Sequence, residues 1–147
     1  MFTDTHCHLD YIQAASANPP DDTPRPSLAQ ALDNARQAGV TRFLNPTVSL
    51  ANLPAVLAVA EAHADVYAAV AIHPTEVEDP STTDDWEARV RQALAHPKVR
   101  AIGETGLDYY WVKREDAGKQ RRLFARFLAL AHEYDLPIVV HDRDAHD

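Results

Sequence analysis

Two histidines one residue apart, His6 and His8, stand near the start of the chain. In extended backbone the side chains at i and i+2 leave the same face. The run Asp4-Thr5-His6-Cys7-His8-Leu9-Asp10 can therefore aim two imidazole nitrogens at one ion while Cys7 points the other way. A lone His-x-His is as compatible with a hydrogen-bonded strand end as with a metal site. The position of this pair, at the C-terminal end of a short first strand, favours ligation.

A second candidate is Glu104, in Gly103-Glu104-Thr105-Gly106-Leu107-Asp108-Tyr109, directly after the apolar Val99, Ala101 and Ile102. A carboxylate has two oxygens and can bridge two cations, and the flanking glycines let backbone and substrate approach closely. Taken alone, an exposed glutamate in a glycine turn is the stronger competitor. Asp108 and Tyr109 suit support of a ligand or contact with substrate, alongside plain turn and packing roles.

The third group is His141, which ends the apolar run Ile138-Val139-Val140 and precedes Asp142-Arg143-Asp144. Arg143 has the guanidinium fork that grips phosphate, or else it pairs with Asp142 or Asp144. His73, before Pro74, closes another apolar run and suits a proton carrier or a phosphate hydrogen-bond donor. His63, His96, His132 and His146 fall on helices or their ends and read as surface or capping residues. Cys7 reads as core.

The elements that must hold these residues alternate. Ser27 and Gln30 make a capping box, Leu28, Ala31, Leu32 and Ala35 a helical stripe, and Gly39 a C-terminal stop. Arg42 to Asn45 reads as a strand, and Leu53, Val56, Leu57 and Ala60 as a helix with Pro54 in its first turn. Val66 to Ile72 is a strand, and Thr83, Asp84 and Asp85 open a helix carrying Trp86, Val90 and Leu94. Val99 to Gly103 is the next strand. Gln120, Phe124, Phe127, Ala131 and Tyr134 form a helical stripe, and Leu136 to His141 a final strand. The proline-rich tract Ala17 to Pro26 reads as loop.

Five strands and four helices in this alternation imply an α/β fold with a parallel sheet, either doubly wound or a (β/α)8 barrel. The candidates then share one face, because in βα folds the strand C-termini open together where sites are built. An eight-unit barrel needs about 250 residues, so 147 residues make an incomplete TIM-like barrel, one part of a single domain. Open strand edges predict self-association or marginal stability.

With 46% apolar and 24% charged residues, the composition is that of a globular protein, and a net charge of -8 argues against indiscriminate nucleic-acid binding. It does not exclude a phosphate substrate, since bound cations change the local sign. No membrane segment or leader is legible and the single cysteine has no partner, so the expected location is cytoplasmic. Lys113, Arg114, Lys119, Arg121, Arg122 and Arg126 read as a solvated helix face, with Lys113 and Arg114 near the cleft mouth.

Taken in order, Asp4 to Asp10, Ile72-His73-Pro74, Ile102 to Tyr109 and Val140 to Arg143 resemble the N-terminal signatures of TatD-type metal-dependent deoxyribonucleases across essentially the whole chain. The resemblance implies a (β/α)8 barrel and two divalent ions (Mg2+, Mn2+ or Zn2+). It implies that His6 and His8 bind the first ion, that Glu104 bridges both, and that His141 belongs to the second. It also implies a further histidine and an aspartate beyond residue 147, and DNA phosphodiester hydrolysis by the complete enzyme. Ala71 where glycine is common and Asp142 where serine is common are its departures. The alternatives are an amidohydrolase acting on a small substrate and an inactive, self-associating half-barrel.

Overall fold

The computed structural model describes residues 1–17, 25–78 and 84–146. Its frame is one sheet of five parallel strands in sequential order: β1 (Phe2–Asp4), β2 (Val40–Pro46), β3 (Val66–Ala69), β4 (Val99–Asp108) and β5 (Ile138–Arg143). Sequential order with helical crossovers is the arrangement of a (β/α) barrel wall, here a half-barrel. A doubly wound sheet would instead reverse its strand order.

Among the described residues there are five α-helices: α1 (Leu9–Ala17), α2 (Leu28–Gln37), α3 (Leu53–Ala62), α4 (Trp86–Leu94) and α5 (Gly118–Glu133). The sequence reading gave four and missed α1. That helix follows His8 at once and buries only Leu9 and Asp10, so it shows no apolar stripe. Ala17, expected in a loop, is its last residue; residues 18–24 of the proline tract and Thr83 of the expected helix start lie outside the described residues.

α2 begins as read. Ser27 Oγ accepts from Gln30 N at 3.2 Å and Gln30 Oε1 accepts from Ser27 N at 2.9 Å, satisfying two backbone donors that the helix leaves unpaired. At its other end Gly39 takes φ +93°, the left-handed turn expected of a glycine stop.

The core lies between the helices and the sheet. Leu32, Val56, Val66, Val90, Ile102, Phe127 and Leu130 are essentially fully buried. Trp86 of α4 packs on Phe127 of α5 with ring centroids 5.2 Å apart. Leu130, rather than Tyr134, is the deep residue at that end of α5; Tyr134 stays at the surface, where it meets Arg91. Ion pairs join the outer layer: Arg36 grips Asp65 through two bonds of 2.8 Å, and Glu87 receives both Arg91 and Arg126.

The N-terminal end of the sheet is closed by Lys98. Its Nζ donates to the carbonyls of His63, Ala64 and Val66 at 2.8, 3.1 and 3.1 Å, and it sits over the Tyr67 ring. The edge strands are open: Phe2 of β1 is 67% exposed and Val140 of β5 is 49% exposed.

Candidate metal centre

β1 stops at Asp4, so His6 and His8 lie in the link to α1 and not in the strand itself. The two histidines still share one side because the link that carries them is pinned to β2. Cys7 N donates to Leu44 O at 3.1 Å, Cys7 Sγ meets the same carbonyl at 3.3 Å, and Leu9 N donates to Asn45 Oδ1 at 3.0 Å. Cys7 thus turns into the core, where burial and then Asp4 push its thiol up to about 12, and the two histidines turn together to the opposite side. Tyr11 of α1 stacks on the His8 ring with centroids 5.4 Å apart.

Glu104 lies inside β4, which runs on to Asp108 instead of ending at Gly103. The register of β4 against β5 shifts between Ile102 and Thr105, where Glu104 sits. Beyond the shift, Thr105, Gly106, Leu107 and Asp108 pair with Val140, His141, Asp142 and Arg143. Gly106 makes this possible by lying flat against His141 with φ +150°, where a side chain would run into the His141 backbone.

The Glu104 carboxylate is 7% exposed and faces histidines on both sides. Its Oε2 lies 2.9 Å from His6 Nε2 and 3.6 Å from His8 Nε2. Its Oε1 lies 3.0 Å from His141 Nδ1 and 3.7 Å from His73 Nε2. Burial raises the carboxyl's pKa, but the histidines outweigh it and hold the group at about 2. His8 is raised, first by Glu104 and against its own burial. His73 falls to about 4, because burial and then the neighbouring His141 disfavour its charged form.

Two trios therefore share one carboxylate: His6, His8 and Glu104, and His73, Glu104 and His141, each with donor atoms within 4.8 Å of one another. Imidazole nitrogen and carboxylate oxygen are the donor types that Zn2+ and Mn2+ accept, so the residues fit a pair of divalent ions.

Asp108 lies behind His141 and not on the open face. Its side chain is 1% exposed; Oδ2 lies 3.0 Å from His141 Nε2, and Oδ1 accepts from Tyr110 N and Trp111 N at 3.1 Å each. That contact leaves the His141 Nδ1 lone pair facing Glu104. Arg143 does not reach Asp142, which pairs with His146 at 3.0 Å. Its guanidinium lies 3.8 Å from the centroid of the Tyr110 ring. His63 caps α3, His96 meets Glu61 at 2.9 Å and His132 is exposed in the last turn of α5, all away from the cluster. Lys119 and Arg126 of the basic stretch pair with Glu78 and Glu87.

Three supporting residues escaped the sequence reading. Thr47 Oγ1 donates to Ala71 O at 2.7 Å and Thr47 O accepts from Glu104 N at 3.2 Å, while Asn45 holds the histidine link. Gln120, taken as part of an apolar stripe, is 1% exposed. Its amide accepts from Asp108 N at 3.0 Å and donates to Pro74 O at 3.1 Å. The legible signal was polar residues at positions that the periodicity assigns to the interior.

A strand-end histidine and carboxylate cluster on a parallel barrel wall is the architecture of a metal-dependent hydrolase. The sequence profile described as TatD related DNase matches residues 3–147, and the chain belongs to that family.

Among its relatives, the uncharacterized metal-dependent hydrolase TatD of Mycobacterium tuberculosis is 38% identical over 146 residues, covering 97% of this chain and 52% of the relative. YjjV of Escherichia coli, also named an uncharacterized metal-dependent hydrolase, is 36% identical over 99% of this chain and 52% of its own length. Its crystal structure superposes with a TM-score of 0.75 at 34% identity, over 99% of this chain and 52% of that one. A protein named 3'-5' ssDNA/RNA exonuclease TatD, from Enterobacter lignolyticus, is 34% identical over 75% of this chain and 41% of its own length. The chain spans about half the length of the curated relatives it matches.

Proposed function

We propose that residues 1–147 belong to one barrel domain and carry one side of a two-ion centre that hydrolyses DNA phosphodiester bonds. The observation that supports this reading is the position of Glu104, with one oxygen toward His6 and His8 and the other toward His141. Divalent ions held by His6, His8, Glu104 and His141 would supply a water of lowered pKa and would neutralise charge on the phosphorus oxygens.

The chain's own residues do the rest. Glu104 is held ionised by its histidines and links the two half-sites. Asp108 orients His141, which leaves Nδ1 as the nitrogen available to an ion. His73 Nδ1 accepts from Thr75 N at 3.2 Å, so the proton of the neutral ring sits on Nε2. That makes His73 Nε2 a hydrogen-bond donor, 3.0 Å from His141 Nδ1 here and suited to a phosphate oxygen in a substrate complex. Arg143 stands at the rim as a phosphate contact.

The test is calorimetric titration of Mn2+ into the chain, followed by hydrolysis assays on oligonucleotides and on amides. His6→Ala and Glu104→Ala abolish tight binding, whereas His63→Ala leaves it intact. Equal losses in all three variants contradict the ligand assignment, and turnover of amides alone transfers the chain to the amidohydrolase reading. Self-association through β5, whose Val140 is 49% exposed, is read from the elution volume of the purified chain.

A further inference from the structure

Following Asp108, the segment from Tyr109 to Trp111 sets three aromatic rings against two arginines. Arg143 lies 3.8 Å from the Tyr110 ring centroid and 6.0 Å from that of Trp111, and Arg114 lies 5.2 Å from that of Tyr109. Tyr110 and Trp111 meet edge to face with centroids 4.8 Å apart. Both are wide open to solvent, at 56% and 68% exposure. Adjacent exposed rings on a globular surface mark contact with a ligand, because leaving them in water forgoes their burial. The guanidinium groups of Arg114 and Arg143 lie on these rings, so each aromatic face borders a cation that can meet a phosphate.

The backbone that carries the rings is tied to the centre. The same Asp108 carboxylate that meets His141 with one oxygen accepts the amides of Tyr110 and Trp111 with the other. The backbone that carries the rings is therefore held relative to His141.

We propose that Trp111 and Tyr110, with Arg143 laid over Tyr110, form a stacking platform for one unpaired nucleobase adjacent to the phosphate at the centre. The platform rests on the phosphodiesterase reading above. Aromatic faces flanked by guanidinium accept any base without reading its edges. A base inside a duplex already has both faces covered, so the occupant is a base of a single strand. Arg143 then has two roles: its plane lies on Tyr110, and its outward N–H groups remain directed to the phosphate that joins the stacked nucleoside to the next one.

The experiment uses the Mn2+-loaded chain and two probes: a short thymidine oligonucleotide, and a deoxyribose-phosphate oligomer of the same length without bases. Tryptophan emission and calorimetry follow binding. Trp111 is the exposed reporter, whereas Trp86 is packed against Phe127. The thymidine oligomer binds about 5- to 150-fold more tightly than the base-free one and quenches emission. Trp111→Leu removes the quench and reduces thymidine affinity to the base-free level, and Trp111→Phe restores most of it. Equal affinity for the two probes, lost in Glu104→Ala, overturns the platform and leaves the phosphodiesterase reading standing. Absence of binding by either probe overturns both. Far-ultraviolet circular dichroism of Trp111→Leu matches the wild type, since the ring is at the surface.

Discussion

Replacing Gly106 by alanine tests the join between fold and centre. A Cβ built at Gly106 overlaps the van der Waals sphere of the His141 carbonyl oxygen and lies 2.9 and 3.0 Å from that residue's carbonyl carbon and amide nitrogen. The obstacle is backbone in a paired strand, so no rotamer change relieves it. β5 must retreat, and the pairs from Thr105–Val140 to Asp108–Arg143 retreat with it.

Two penalties add: about 1–3 kcal/mol for holding alanine at φ +150°, and about 1–3 kcal/mol for overpacking. The expected loss is thus about 2–6 kcal/mol, a large share of the roughly 5–15 kcal/mol by which domains are stable. Urea unfolding measures it, with two controls. Gly118→Ala, in the first turn of α5, meets only the movable end of Arg122 and is neutral or gains up to about 1 kcal/mol. Gly39→Ala has room beside Phe2 but keeps φ +93°, and loses about 1–2 kcal/mol. Mn2+ affinity falls in Gly106→Ala alone, because only that variant displaces His141. If Gly106→Ala unfolds within about 1 kcal/mol of the wild type and binds Mn2+ normally, the close β4–β5 approach does not set the position of His141.

Phe127→Ala, at a fully buried ring, costs about 3–5 kcal/mol in urea unfolding. A loss under about 1 kcal/mol would show that the α4–α5 core is loose. Asp108→Asn turns an acceptor toward His141 into an amide and lowers Mn2+ affinity about 10- to 100-fold; unchanged affinity would remove Asp108 from the orientation of His141. Arg126, and behind it Arg91, hold the Glu87 carboxyl at about 2, below its ordinary 4.5. Its contribution is therefore full above pH 4.5 and is lost as the pH falls through about 2. The stability gap between wild type and Glu87→Gln should close over that window, and a gap that is constant with pH contradicts the pairing.

What was legible in the sequence was whatever leaves a periodic or punctuated trace. Ser27, Gln30 and Gly39 delimit α2 because caps need those side chains and that φ. His6, His73, Glu104 and His141 converge because parallel strands deliver their C-terminal ends to one side. α1 was invisible since its neighbours, more than its own stripe, keep it helical. The far half of β4 was invisible for a different reason. Gly103-Glu104-Thr105-Gly106 has no apolar alternation, and the pairing there depends on close backbone approach to β5, which the glycines at 103 and 106 permit. The roles of Asn45, Thr47 and Gln120 come from partners that lie 36, 24 and 46 residues away along the chain, a range that no local pattern reaches.

Lys98 has a consequence for chemical labelling. The chain has three lysines, Lys98, Lys113 and Lys119. Lys113 and Lys119 are exposed, whereas all three donor directions of the Lys98 ammonium end on carbonyl oxygens. An amine-reactive reagent needs a free lone pair on nitrogen, which Lys98 can present only after letting go of His63, Ala64 and Val66. Acylation of Lys113 and Lys119 then proceeds at the rate of the reagent, and acylation of Lys98 at the rate at which the N-terminal end of the sheet opens. A peptide mass map taken over time would thus give the opening rate at one end of the barrel wall, on a molecule whose centre, at the other end, is untouched.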